Sequence, residues 1–147
     1  MVEHQRPGVD QGVVGGAASL RRPDHGDGAV DAALEMRRRL SKVNLDLSRQ
    51  GFPALRHGIG LHTGTVVAAN IGSPQRLSYA LVGEAVNVAS RIQELNKEFD
   101  TDILISEAVY KKVDSKGLMR PLKRMSVKGI RDPLQLFSID NPIEPTA

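Results

Sequence analysis

The stretch HGIGLHTGTVVAANI, residues 57–71, decides the fold class because its residues change character with the two-residue period of a β-strand. Two alternating sets result, with Ile59, Leu61 and Thr63 on one face and Gly58, Gly60 and His62 on the other. Because Gly64 permits a sharp bend, we expect two strands joined there as an antiparallel hairpin. The glycine face also predicts that another element of backbone approaches closely.

Helical patterns flank this stretch. Apolar residues recur at three- and four-residue steps from Asp24 or Asp27 to about Arg49, and again from Glu84 to about Glu98. A turn is expected at 72–74. Beyond the second helix we expect a strand at 102–106, a helical turn at 107–112, and antiparallel strands at 122–127 and 134–139. The predicted fold class is α+β, with one sheet covered by helices.

Composition excludes several classes of protein. The chain has 147 residues and no Cys, which excludes a disulfide scaffold, a thiolate nucleophile and a Cys-ligated zinc site. Its longest strictly apolar run is residues 66–69, so no membrane span is expected, and the first 20 residues lack a secretory signal. We therefore expect a cytoplasmic protein. A net charge of +3 and 3% aromatic residues argue against a nucleic-acid partner.

Three polar residues are candidates for binding an anion. Asn87 and Arg91 are spaced i, i+4 on one face of the second predicted helix, and a guanidinium is a fixed fork of donors suited to phosphate. Lys128 precedes Gly129 in a predicted turn and could place an ammonium beside a polyphosphate. For all three, an ordinary solvated surface remains the alternative.

Two other features have plain structural interpretations. The run Arg37-Arg38-Arg39 is interpreted as a solvated outer helix face. His62 is interpreted as a packed strand residue, and neither as a base nor as a ligand.

Several separated motifs resemble the class III adenylate/guanylate cyclases. They are IGLHTG at 59–64, NIGSPQR at 70–76, YALVGEAVNVASR at 79–91 and VKG at 127–129. The resemblance implies a truncated, ferredoxin-like catalytic domain over residues 23–140. It also implies pairing with another cyclase domain, as a homodimer or a heterodimer, and a purine nucleoside triphosphate as substrate.

The resemblance also implies roles for single residues. Asn87 would orient the ribose, Arg91 would stabilise the pentavalent phosphorus, and Lys128 would contact the polyphosphate. Ala80 occupies the base-selecting position, where the family usually has Thr, Ser or Asp. Because a methyl group neither donates nor accepts a hydrogen bond, the choice between ATP and GTP stays open.

The metal-binding part of the family pattern is not matched. Its two aspartates should precede Pro23, but residues 1–22 match neither motif, and Asp10 has no strand context. We therefore expect a disordered leader at 1–22, a tail at 141–147 and no metal site in this chain alone. Mg²⁺ or Mn²⁺ would be held by aspartates of a partner chain.

Three functions remain open on this basis. The chain is a nucleotide cyclase relative that is incomplete and inactive alone, a non-catalytic partner that complements a full-length cyclase, or a truncated remnant without function. The missing strands would also expose sheet edges and apolar helix faces, which predicts poor stability or association with a partner.

Overall fold

The computed structural model describes residues 2–6, 9–14, 17–20, 25–114 and 116–140, so that the predicted tail at 141–147 and the capping candidate Asp24 lie outside the described residues. The elements follow in this order along the chain: β1 (Val2–Arg6), β2 (Val9–Val14), β3 (Ala17–Leu20), α1 (His25–Arg49), β4 (Ile59–Leu61), β5 (Val67–Ser73), β6 (Arg76–Val82), α2 (Glu84–Glu94), α3 (Asn96–Phe99), β7 (Ile103–Ser106), α4 (Glu107–Tyr110), β8 (Met119–Pro121) and β9 (Leu136–Ile139).

A four-stranded sheet forms the centre of the fold, in the order β4-β7-β9-β8. β4 and β7 are parallel, whereas β9 is antiparallel to both β7 and β8. All four residues of β7 and of β9 are buried. Strands buried on both faces need a layer on each side, and the helices supply those layers.

α1 covers one face of this sheet. Its residues Ala29, Val30 and Ala33 are buried against side chains of the same strand face, namely Leu61, Ile103, Ile105, Phe137 and Ile139. α2 covers the opposite face, where Val88 and Ile92 pack on Leu104 and Leu136. The predicted α+β class and the helical cover of the sheet are confirmed.

Gly60 and Gly64, within residues 57–71, lie against α2. A Cβ on Gly60 would lie 2.5 Å from the carbonyl oxygen of Ala89, and one on Gly64 would lie 2.7 Å from the Cβ of Ala85. The predicted close approach of another element is therefore confirmed, and that element is α2. Because the contacting atoms on Ala89 are backbone, no side chain fits at residue 60 without separating helix and strand.

The predicted hairpin joined at Gly64 is wrong. β4 pairs with β7, and β5 pairs with β6 instead, through a turn at residues 74–75 that lies just beyond the one predicted at 72–74. Gly64 is not among the described glycines with positive φ, which are Gly51, Gly72 and Gly129. The small size of Gly64 allows α2 to pack closely, and no hairpin turn forms at this residue.

The structure also differs from the expectation of a disordered leader at 1–22. Within that range β1, β2 and β3 form an antiparallel meander, with Arg6 opposite Val9 and Val14 opposite Ala17. In the sequence, these strands are separated by the dipeptides Pro7-Gly8 and Gly15-Gly16. Such dipeptides are typical of two-residue turns. Asp10 lies in β2 opposite Gln5, so the statement that it has no strand context is wrong. The domain boundary at residue 23 stays a prediction.

Arg37 is a further correction. Its side chain is only 9% exposed, and its guanidinium donates to both carboxylate oxygens of Asp102, at 2.6 and 2.5 Å, and to the carbonyl of Ile139 at 2.7 Å. It fastens α1 to the start of β7 and the end of β9, the two inner strands of the sheet. Arg38 and Arg39 are exposed as predicted, and both pair with Glu35.

The predicted second helix ends early, because Leu95 separates α2 from the short α3. In place of the strand predicted at 122–127, the structure has β8 just before that range. Within 122–127, the described structure has a single β-bridge, between Met125 and Leu134. Among the described residues, no helix is both long and apolar enough to cross a lipid bilayer.

Candidate active site

α2 presents Asn87 and Arg91 away from the sheet. Its buried residues are Ala85, Val88, Ala89 and Ile92. Asn87 is exposed and Arg91 is half-buried, one helical turn further along. The local pattern alone predicts this arrangement, because the spacing of the buried residues determines which side of the helix remains outside.

Lys128 lies in a tight turn that the surrounding segment holds in place. The backbone N–H of Ile130 donates to the carbonyl of Val127 at 3.0 Å, and Gly129 has a φ of 82°. A positive φ at the third position of a turn favours glycine, since other residues adopt it at a cost. Val127 is buried whereas Lys128 is exposed, so the ammonium group is directed to solvent.

The structure brings Arg91 to this turn. A Cβ built on Gly129 would lie 3.6 Å from Nη2, 3.7 Å from Nε and 3.8 Å from Cζ of Arg91. The guanidinium thus lies alongside the glycine that follows Lys128. Within the described part of the chain, no carboxylate pairs with Arg91, and its donors are available to an anion.

Ala80 lies in the middle of β6, opposite Ala69 of β5, and is half-buried. Its neighbour Leu81 packs on the cluster of Val66, Ala85 and Ala89. The hairpin is therefore seated on the first turns of α2. This packing connects β6, and with it Ala80, to α2, the helix that carries Arg91. Arg91 itself lies directly against the Lys128 turn.

The described side chains do not fit a metal centre. Among them, no group of three or more His, Asp or Glu residues is placed to hold an ion. Two-metal sites need several carboxylates converging on a pair of ions. The candidate site residues Asn87, Arg91 and Lys128 offer amide and cationic groups.

His62 packs just beyond the end of β4, as the sequence interpretation expects. Its Nδ1 lies 2.9 Å from Oγ of Ser106, and burial lowers the pKa of the imidazole to about 4. The ring is therefore neutral near pH 7. Next to it, Nζ of Lys112 donates to Oγ1 of Thr63 at 3.3 Å. These polar contacts join the end of β4 to Ser106 at the start of α4 and to Lys112 just beyond its end.

Two adjoining cavities of about 390 and 260 Å³ lie elsewhere, around Arg56 and His57. Gln93 and Lys97, near the C-terminal end of α2, line the larger one. Sequence reasoning missed both cavities, because their lining comes from chain segments that only the tertiary fold brings together.

Comparisons with known proteins agree with this fold. A sequence model of the adenylate and guanylate cyclase catalytic domain matches residues 12–141, beginning inside β2. Adenylate cyclase 1 of Rhizobium meliloti is 35% identical over 115 residues, which cover 78% of this chain and 17% of that protein. An adenylate cyclase of Anabaena cylindrica is 37% identical over 120 residues, which cover 77% of this chain and 24% of that protein. The chain thus spans less than a quarter of the length of either relative.

Solved structures have the same fold. The crystal structure of the guanylyl cyclase Cya2 superposes with a TM-score of 0.68 at 28% identity, covering 95% of this chain and 73% of that one. The adenylyl cyclase CyaB from P. aeruginosa has a TM-score of 0.71 at 22% identity, covering 90% of this chain and 71% of that one. The family resemblance predicted from the motifs is confirmed.

Proposed function

Because this chain belongs to the family of adenylate and guanylate cyclase catalytic domains, we propose that it supplies one half of a nucleotide cyclase active site. In this proposal Asn87, Arg91 and Lys128 act on a purine nucleoside triphosphate at the interface with a second cyclase domain. The products are a cyclic nucleotide and pyrophosphate. The reaction would take place in the cytoplasm, where nucleoside triphosphates are abundant.

The observation that carries this proposal is the approach of Arg91 to the Lys128 turn. Arg91 and Lys128 come from segments far apart in sequence, and the Arg91 guanidinium lies against Gly129, the residue that follows Lys128 and has no side chain to cover it. Asn87 lies one helical turn away on the same helix. Such a group of donors is suited to a ligand that carries both phosphates and hydroxyls.

Each residue has a part in the proposed reaction. The 3′-hydroxyl oxygen forms a bond to the α-phosphorus, the bond from that phosphorus to the pyrophosphate oxygen breaks, and the hydroxyl proton is released. Negative charge grows on the oxygens around the phosphorus, and Arg91 stabilises it with fixed donors. Lys128 binds the departing polyphosphate, and Asn87 orients the ribose that carries the attacking hydroxyl.

The family is generally metal-dependent, and a divalent ion such as Mg²⁺ or Mn²⁺ would supply Lewis-acid polarisation of substrate oxygens. The described side chains of this chain do not fit it. We therefore propose that the partner domain holds the metal, and that this chain complements that domain. The alternatives are a self-sufficient enzyme and a remnant without function.

A complementation assay tests the proposal. The full chain is mixed with a cyclase domain that keeps its metal-binding aspartates but has its own Asn and Arg of this motif replaced. With Mg²⁺ or Mn²⁺ and either ATP or GTP, we expect cyclic nucleotide formation that neither protein shows alone. Arg91→Ala should lower that rate about 100-fold or more, since it removes donors that act mainly in the transition state.

The matched control is Arg38→Ala, because this arginine is 70% exposed and pairs with Glu35 on the outside of α1. It should leave the rate unchanged. Equal rates for Arg91→Ala and the unmodified chain would overturn the assignment of Arg91. Appreciable cyclic nucleotide formation by the chain alone would overturn the complementing role.

A further inference from the structure

One segment of the chain carries a charge that the proposed function does not use. Residues 111–131 contain eight Lys or Arg and one Asp, a net charge of +7, whereas the remaining residues contain twelve Lys or Arg and sixteen Asp or Glu, a net charge of −4. A charge asymmetry of this size points to an anionic ligand or partner. The net charge of +3 for the whole chain conceals it.

Packing leaves part of this charge exposed on one loop. Leu122, Met125 and Ile130 pack on the apolar cluster beneath α2. The segment is held there by hydrogen bonds from the N–H of Leu122 to Leu136 and between Met125 and Leu134. The cations that alternate with these anchors stay exposed, and we call them the basic loop surface: Lys123, Arg124, Lys128 and Arg131.

Lys111 and Arg120 of the segment pair with Glu107 and Asp140, but the four cations of the basic loop surface are little neutralised by the described residues. Arg124 is 65% exposed and reaches Glu107 only at 4.0 Å. In the described part of the chain, Lys123 and Arg131 have no ion-pair partner, and Asp132 is the acidic residue that follows Arg131 in the sequence. The basic loop surface thus keeps a net positive charge in solvent.

The basic loop surface is continuous with the proposed active site. Lys128 belongs to both, and Gly129 lies against the guanidinium of Arg91. The cations that flank Lys128 in the sequence, Arg124 and Arg131, are within a few residues of it. An anion attracted to the surface would therefore arrive beside Arg91.

We propose that Lys123, Arg124 and Arg131 form an electrostatic capture surface for the polyphosphate group of the nucleotide. This inference rests on the proposed function, since Arg91 and Lys128 must be where the phosphates finally bind. Exposed charges at the rim of a site accelerate encounter and contribute little to the bound state. They act over about 8–10 Å at physiological salt.

Stopped-flow binding of a fluorescent ATP analogue to the full chain tests this inference. The variant neutralises all three rim cations, as Lys123→Gln, Arg124→Gln and Arg131→Gln together. At low salt we expect its association rate constant to fall about tenfold, with the dissociation rate constant changed less than about twofold. The difference should disappear near about 1 M salt, where charges are screened within about 3 Å.

The matched control removes the same charge from α1 with Arg38→Gln, Lys42→Gln and Arg49→Gln, all exposed. Because α1 lies on the face of the sheet opposite to α2, this control variant should change the association rate constant less than about twofold. Equal losses in both variants would overturn the inference, because net charge would then be the cause. An unchanged association rate in the rim variant, or no saturable binding to the full chain, would overturn it as well.

Failure of the proposed function is recognised separately. If Arg91→Ala has no effect in the complementation assay, the active-site assignment fails whatever the rim variant does. If Arg91→Ala abolishes activity but the rim variant associates normally, only the capture surface is wrong. Circular dichroism of both triple variants verifies that the exposed substitutions leave the fold intact.

Discussion

Replacing Gly60 with alanine tests how α2 is seated on the sheet. A Cβ at residue 60 would lie 2.5 Å from the carbonyl oxygen of Ala89 and 2.9 Å from Cα of Gln93, and closer still to the backbone nitrogen of Gln93. Favourable contacts of carbon begin near about 3.5 Å. Helix and strand must therefore separate by about 1 Å, since no rotamer change can move backbone atoms aside.

The expected cost follows from this geometry. Overpacking typically costs about 1–3 kcal/mol, and a clash with backbone on two residues belongs at the upper end, about 3 kcal/mol. For a domain of this size, that corresponds to a fall in Tm of about 6–12 °C. Thermal unfolding followed by circular dichroism measures it. Because α2 carries Asn87 and Arg91, the complementation rate should fall too.

The control is the same substitution at a position with room. A Cβ on Gly28, an exposed helical residue of α1, would meet nothing within 4 Å. Alanine there should raise stability by about 0.5–1 kcal/mol, because glycine is the poorer helix former. If Gly60→Ala unfolds at the temperature of the unmodified protein, the close seating of α2 on β4 is refuted.

Two further predictions concern buried polar groups. Arg37→Met should destabilise the protein by about 2 kcal/mol in chemical denaturation, because it leaves the Asp102 carboxylate and the Ile139 carbonyl without their donor; an unchanged unfolding midpoint would contradict this. His62 has its pKa lowered by burial from 6.5 to about 4, so the unfolded chain binds more protons between those pH values. Stability should therefore fall as the pH drops from 6.5 towards 4, and His62→Gln should flatten that dependence in Tm measurements; identical pH profiles would count against it.

Local patterns account for the elements that sequence reasoning placed correctly. The 25-residue α1 was expected because its apolar residues recur at helical spacing and Gly51 and Pro53 follow it. The orientation of Asn87 and Arg91 follows from the spacing of Ala85, Val88 and Ile92 alone. Hydrogen bonds of a helix connect neighbours in sequence, so these features depend on little else.

Strand partners were harder to predict, because any strand edge offers the same backbone groups to any other. Glycine is typical of turns, but Gly64 lies against Ala85 of α2. The strand before it, β4, pairs with β7 and not with β5. The strands in residues 2–20 were missed because they are short and lack a sustained apolar period. In the sequence, Arg37 cannot be distinguished from its exposed neighbours Arg38 and Arg39. Its burial depends on an ion pair with Asp102, which is distant in sequence.

By itself, the sequence determined the family, the α+β class and the identity of the three proposed site residues, because these follow from motifs and local periodicity. Only the tertiary structure decided that Arg91 and the Lys128–Gly129 turn meet, and that the other cations of the same loop stay exposed. The reason is that both results depend on α2 and the loop before β9 packing on one apolar cluster. No local pattern records which of many apolar faces pack together.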